Sequence, residues 1–193
     1  MFIFHYFRPR YFFFLLKLIY FKIRYYNSLF TNGFWYGFEK DFSLRLEMGG
    51  TLELGEKVYI SKRTDIIAIE GKITIGNNVF INKDCTIVSR KSIRIGNDCC
   101  LGEAVSIYDH DHNLIDFSSP IVSQGFSSRP VVLGDNVWVG GKVFIKSGIC
   151  IGSNVIIGAN SVVTKDIPDG MVAYGNPAHY KPNPSALVQK ITK

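Results

Sequence analysis

A period of six governs the second half of the chain. From residue 133 the sequence divides into LGDNVW, VGGKVF, IKSGIC, IGSNVI and IGANSV, followed by Val163. An aliphatic residue opens each block: Leu133, Val139, Ile145, Ile151, Ile157 and Val163. Four positions later stands Val137, Val143, Ile149, Val155 or Ser161, small or apolar every time. A helix cannot use this spacing, because successive members would be rotated by about 600° and scattered round its circumference. A simple amphipathic strand would need period two. Six fits a short strand plus a corner, with one aliphatic side chain pointing inward on each side of a solenoid. Gly, Asn and Asp fill the corners, where positive φ is tolerated.

The pattern recurs earlier with less regularity, as Leu54, Ile60, Ile66; then Ile75, Ile81, Ile87, Ile93; then Ile95, Leu101, Ile107. The step from Ile93 to Ile95 reads as a short insertion absorbed at a corner. Between Ile107 and Leu133 the repeat stops, and 108–130 forms a loop. Loops that long in a compact domain are usually functional. At its root, IYDHDHNLID (107–116) holds two of the four histidines among three aspartates.

Charge sets the first forty residues apart. They carry Arg8, Arg10, Lys17, Lys22, Arg24 and Lys40 against Glu39 alone, a net +5 in a chain of net +6. This is a basic, aromatic arm on a nearly neutral body, and no nucleic-acid partner is expected. Lys17 and Lys22 interrupt the apolar run, so a spanning helix of about 20 residues does not fit. No small-residue cleavage site follows, so the stretch does not read as a signal peptide. If 10–26 is helical, Arg10, Lys17 and Arg24 form one basic stripe. Two uses stay open: peripheral membrane contact through residues 1–30, or packing of the aromatics on the body or a neighbouring subunit. Cys85, Cys99, Cys100 and Cys150 lack CxxC spacing and read as reduced and mostly buried, in a cytoplasmic protein that could sit at the inner face of the membrane.

The repeats, the loop and the closing GANSVVTKDIPDGMVAYGNPA together resemble the hexapeptide-repeat (left-handed β-helix) acyltransferases, most nearly the maltose/galactoside-type and polysaccharide-type O-acetyltransferases. The resemblance implies an all-β chain: a left-handed parallel β-helix preceded by a helical, aromatic arm and closed by a short helix. It also implies a homotrimer, with acetyl-CoA as co-substrate in the groove between subunits and no metal. The expected layout is an arm over 1–45, the β-helix over 46–168 with its active-site loop at 108–130, and a strand and helix over 169–193.

In the sugar transacetylases of this family an N-x-x-C segment precedes the catalytic histidine. Asn82-Lys83-Asp84-Cys85 matches it, and gapless alignment from Cys85 places the family's histidine on His112, with His110 beside it. The family's His-Pro is absent, since Asn113 follows. Both histidines are catalytic candidates, and Asn82, Asp109 and Asp111 are candidates for acceptor binding. A neutral imidazole can take the proton of an attacking hydroxyl and return it to the leaving thiolate. Asp109, Asp111 and Asp116 are all near enough in sequence to orient it. For acetyl-CoA the resemblance supplies Trp138, the small residues Gly140, Gly141, Ser147, Gly148, Ala159 and Ser161, and Lys165 for a phosphate.

Other readings compete. The DHDH run could be a solvated surface or a metal site. The γ-class carbonic anhydrases share this fold and bind zinc through three histidines, but here only His5 and His179 remain, and neither lies at a matching coil position. The expected function is O-acetylation of a sugar hydroxyl in surface polysaccharide or lipopolysaccharide biosynthesis. The alternatives are N-acetylation of an amino-sugar nucleotide or small amine, and a non-catalytic scaffold.

Overall fold

The computed structural model describes residues 9–33 and 35–184. One α-helix, Pro9–Arg24, precedes a parallel β-solenoid whose six coils each give one strand to each of three faces. The first face runs from Leu29–Thr31 to Cys150–Ile151 and the third from Ser43–Glu47 to Val162–Val163. The second begins at Tyr36–Phe38 and continues past Ile156–Ile157 into Met171–Tyr174 and an antiparallel strand, His179–Pro182. Winding therefore starts at Leu29, within the stretch read above as arm. The closing helix expected after these strands lies outside the described residues.

The core is a set of one-residue-wide stacks. On the third face Ile66, Ile87, Ile107 and Ile145 pair in register and are fully buried. Each such side chain contributes about 1.5–3 kcal/mol relative to exposure. Ile93 and Ile95 correct one expectation: they lie on the same strand, both inward, against Ile73 and Ile75. Their spacing of two is ordinary strand alternation and marks no insertion at a corner.

Corner chemistry follows from the closeness of the coils. A Cβ on Gly76 would stand 2.7 Å from the Gly96 carbonyl carbon, and one on Gly96 would stand 2.4 Å from the Gly134 oxygen. The next residue ties each corner to the coil beyond it. Asn77 N donates to Asn97 Oδ1 (2.9 Å), Asn97 N to Asp135 Oδ1 (2.7 Å) and Asp135 N to Ser153 Oγ (3.0 Å). The third residue (Asn78, Asp98, Asn136, Asn154) takes φ of 55–58°, which Asn and Asp tolerate best among residues with a side chain. At the second corner Arg63, Asp84, Ala104 and Lys142 accept the same strained conformation.

The N-terminal helix lies on the solenoid through Phe14, Lys17, Leu18 and Phe21. Phe14 meets Tyr59 edge-on, and Phe21 meets Phe38 and Phe42. Lys17 does not belong to an exposed basic stripe: its Nζ donates to the Glu39 carbonyl (2.8 Å) and lies 5.4 Å from the Phe42 ring centroid. The cysteines also divide differently from expectation, with Cys85 and Cys99 buried but Cys100 and Cys150 outward and exposed.

Two substitutions of opposite sign test this account in denaturant unfolding. Ile107→Ala is expected to cost about 2–5 kcal/mol through its cavity. Ala104→Gly is expected to stabilise by about 0.5–1 kcal/mol, because it relieves a left-handed alanine.

Candidate active site

The solenoid is interrupted where the chain leaves the edge between the third and first faces. The excursion contains a hairpin, His110–His112 against Phe126–Ser128, with His112 opposite Phe126. Gln124 closes its outer part: Nε2 donates to the Asp116 carbonyl (2.7 Å), and Oε1 accepts from Ile115 N (2.7 Å) and Asp116 N (2.9 Å).

Asp109 anchors the hairpin. Its side chain is fully buried. Oδ2 accepts from Ser89 Oγ (2.7 Å) and Lys91 N (2.8 Å), while Oδ1 accepts from Arg90 N (2.8 Å) and lies 3.1 Å from His110 Nδ1. Donors to both oxygens compensate the loss of water around the carboxylate. The contact also favours a proton on Nδ1 of His110 and leaves Nε2 as the acceptor.

The two imidazoles have different surroundings. His110 is mostly covered, edge-on to Tyr108 (6.0 Å) and Phe126 (5.5 Å). His112 is exposed, with its ring 4.4 Å from that of Phe126. Arg90 places its guanidinium carbon 3.9 Å from the same Phe126 centroid. Asp111 turns away to accept from Ser147 Oγ (2.6 Å), with Arg129 at 3.8 Å, and so pins the hairpin to the fifth coil. Asp116 is also engaged elsewhere: hydrogen bonds from Ser119 and Ser118 hold its carboxyl down at about 2. Of the three aspartates, Asp109 therefore pairs with a histidine, and that histidine is His110.

The remaining candidates scatter over the second face and two edges of the third. Asn82 stands at the edge opposite the histidines, its Oδ1 accepting from Lys83 N (2.8 Å), so one chain does not bring them together. Trp138 points outward from the second face and is 55% exposed. Gly141 and Ala159 follow at Asn82's edge, while Gly148 and Lys165 lie at the histidines' edge. Three positions do not offer side chains to a ligand. Ser161 is buried, donating to Gly158 O and accepting from Gly175 N. Ser147 is buried against Asp111. The smallness of Gly140 serves coil stacking, since a Cβ there would stand 2.6 Å from Ala159 N. Among the described residues no three His, Cys, Asp or Glu side chains converge as a metal site requires.

Sequence reasoning missed Phe126, Arg90, Arg129 and Ser89. Phe126 lies on the hairpin of the excursion and Arg90 and Arg129 beside strand ends, where no period operates. Ser89 carried a signal: it occupies the inward register of Ala68, so a hydroxyl stands where the stack calls for an apolar group.

With this geometry in place, the comparisons with known proteins are specific. Residues 130–165 match the family described as bacterial transferase hexapeptide (six repeats), and 72–108 match the hexapeptide repeat of succinyl-transferase. WbbJ of Escherichia coli K12, provisionally described as a lipopolysaccharide biosynthesis O-acetyl transferase, is 34% identical over 67% of this chain and 70% of its own. A solved galactoside acetyltransferase in complex with coenzyme A superposes with a TM-score of 0.55 and 25% identity, covering 82% of this chain and 66% of that one. A point mutant of AntD, an N-acyltransferase from Bacillus cereus bound to dTDP and coenzyme A, gives 0.68 at 18% identity, covering 89% and 92%. The architecture is that of the hexapeptide-repeat β-helix proteins. The chain belongs to the hexapeptide-repeat acyltransferase family. It matches 42%, 57% and 58% of the length of three further curated relatives.

Two outcomes are expected of the site. Asp109→Ala strands the backbone N–H groups of Arg90 and Lys91 at about 1–3 kcal/mol each and leaves the Ser89 hydroxyl only the Lys72 carbonyl at 3.4 Å, which lowers the unfolding midpoint. Burial pushes the Cys85 thiol up to about 11, so the unreactive protonated form prevails until pH approaches that value. Iodoacetamide at neutral pH should label Cys150 while peptide mapping finds Cys85 intact.

Proposed function

We propose that this protein transfers the acetyl group of acetyl-CoA to a sugar hydroxyl in surface-polysaccharide or lipopolysaccharide assembly, as a homotrimer with His112 as general base. The observation that carries the reading is the break in the solenoid, where a hairpin pegged by buried Asp109 presents two imidazoles beside an aromatic ring. His112 is favoured as base because its ring is exposed on the hairpin, where an acceptor can reach it. His110, clamped by Asp109, forms the wall behind it. In the reaction the acceptor hydroxyl gives its proton to His112 as its oxygen attacks the thioester carbonyl. The tetrahedral adduct then collapses, the C–S bond breaks, and the imidazolium returns the proton to the coenzyme A thiolate. The surface-glycan assignment draws on the similarity to WbbJ.

Two features support the trimer. The second face presents an outward ladder of Phe80, Cys100, Trp138 and Ile156, unbroken by charge, whereas the same ladder of the first face carries Glu53, Thr74 and Arg94 between Phe30 and Val132. The candidate residues also lie on opposite edges of the third face, so a site using both edges draws one from each of two copies.

Steady-state assays with hydroxyl and amino sugars, paired with sedimentation equilibrium, test the proposal. His112→Ala should lower kcat by about 10²–10⁴-fold while calorimetric acetyl-CoA binding persists, and the mass should be that of three chains. Acetylation of amines alone would move the chain to N-transfer, the chemistry named for AntD. Full activity in His112→Ala with loss in His110→Ala would move the base to His110.

A further inference from the structure

The helix Pro9–Arg24 has two apolar sides, and only one meets the solenoid. At 100° per residue, the direction opposite Phe14, Leu18 and Phe21 is occupied by Phe12, Leu16, Ile19 and Ile23. These are 62%, 46%, 45% and 76% exposed. Leu15 and Tyr20 widen the stripe, and Tyr26, two residues past the helix, is also exposed. A helix on a globular body ordinarily turns charge to that side, and contiguous apolar exposure of this kind marks an interaction surface.

Charge identifies what covers it. No Asp or Glu occurs between residues 9 and 24. By the same helical geometry Lys22 and Arg24 fall on opposite flanks of the stripe, near its C-terminal end. We propose that this face docks in plane on an anionic bilayer surface, with the Phe12, Leu16, Ile19 and Ile23 stripe below the headgroups and Lys22 and Arg24 at the lipid phosphates. The Tyr20 and Tyr26 rings suit that boundary, being apolar bodies with a polar edge. A second copy of the same face is disfavoured, because pairing would oppose two basic sets with no acid in either helix. The docking is superficial: no described helix is long and apolar enough to cross a membrane, and in-plane seating matches an amphipathic helix with basic flanks. The proposal is independent of the acetyl-transfer reading.

The test is flotation of the full chain with vesicles of phosphatidylcholine alone or mixed with phosphatidylglycerol. Binding is expected on the mixed vesicles, weakened by added salt. It should fall on the order of tenfold for each of Ile19→Glu and Ile23→Glu. Both positions point away from the solenoid, so the thermal midpoint of each variant should match the parent, and Lys22→Gln with Arg24→Gln supplies a variant that leaves the apolar stripe intact. Absence of flotation on mixed vesicles overturns the proposal. So does flotation unchanged in all these variants, or a change of oligomeric mass in Ile19→Glu, which would make the face a contact between copies.

Discussion

Everything in this molecule depends on how closely successive coils approach at their corners. The stack Gly76, Gly96 and Gly134 leaves no room for a Cβ, and the amides beside it are satisfied by side chains of the adjoining coil. Those two conditions fix each coil's register on its neighbour. Once register is fixed, residues six apart fall on successive faces and residues one coil apart, such as Leu133 and Ile151, fall on the same stack, so the core becomes columns such as Ile66, Ile87, Ile107 and Ile145. A shift of one residue would turn every aliphatic outward. The left-handed residues at the corners are therefore strain held in place by many cooperating contacts, of the order of 1–2 kcal/mol apiece for those other than Gly, Asn and Asp.

The candidate site is a controlled departure from that regularity. The coil opens after Tyr108, and Asp109 stands where the chain turns outward. Ser89, a hydroxyl placed inside an aliphatic column, and the amides of Arg90 and Lys91 come from the preceding coil and grip its carboxylate. The rigid scaffold thereby fixes the root of the hairpin, and Asp111 to Ser147 fixes it again on the next coil. Between these two pegs the histidine strand has little freedom. Preorganisation of this kind is what a base needs if it is to meet a hydroxyl at hydrogen-bonding distance.

The faces of the prism differ as sharply as its corners. The first carries charge in its middle coils, exemplified by the Lys72–Glu53 pair at 2.7 Å, while the second shows Tyr59 stacked on Phe80 and, further along, an exposed Trp138. At one end the helix adds a further apolar surface pointing away from the solenoid. The apolar ladder of the second face and the outer side of the helix accord with the proposed assembly and the proposed lipid surface.

Much of this was legible in the residues. Period six required a solenoid, the loss of period after Ile107 located the excursion, and the N-x-x-C register drew attention to His112. These features could be read because they are local: each depends on spacing along the chain. What depended on which coil lies beside which could not be read. That includes the grip of Ser89, Arg90 and Lys91 on Asp109 and the capture of Asp111 by Ser147, while the contacts of Phe126 with both histidines required the hairpin to close. It also includes the separation of Asn82 from them across the third face and the burial of Ser161. The arm illustrates the same division, since its aromatic, basic character is plain in the sequence but the turning of Lys17 onto Glu39 needs the solenoid to be present. The sequence by itself determined the coil and where it breaks, because a repeat writes its geometry into spacing. Only the tertiary structure decided which side chains meet at the break, because residues eighteen to thirty-six positions apart become neighbours only after the coils have stacked.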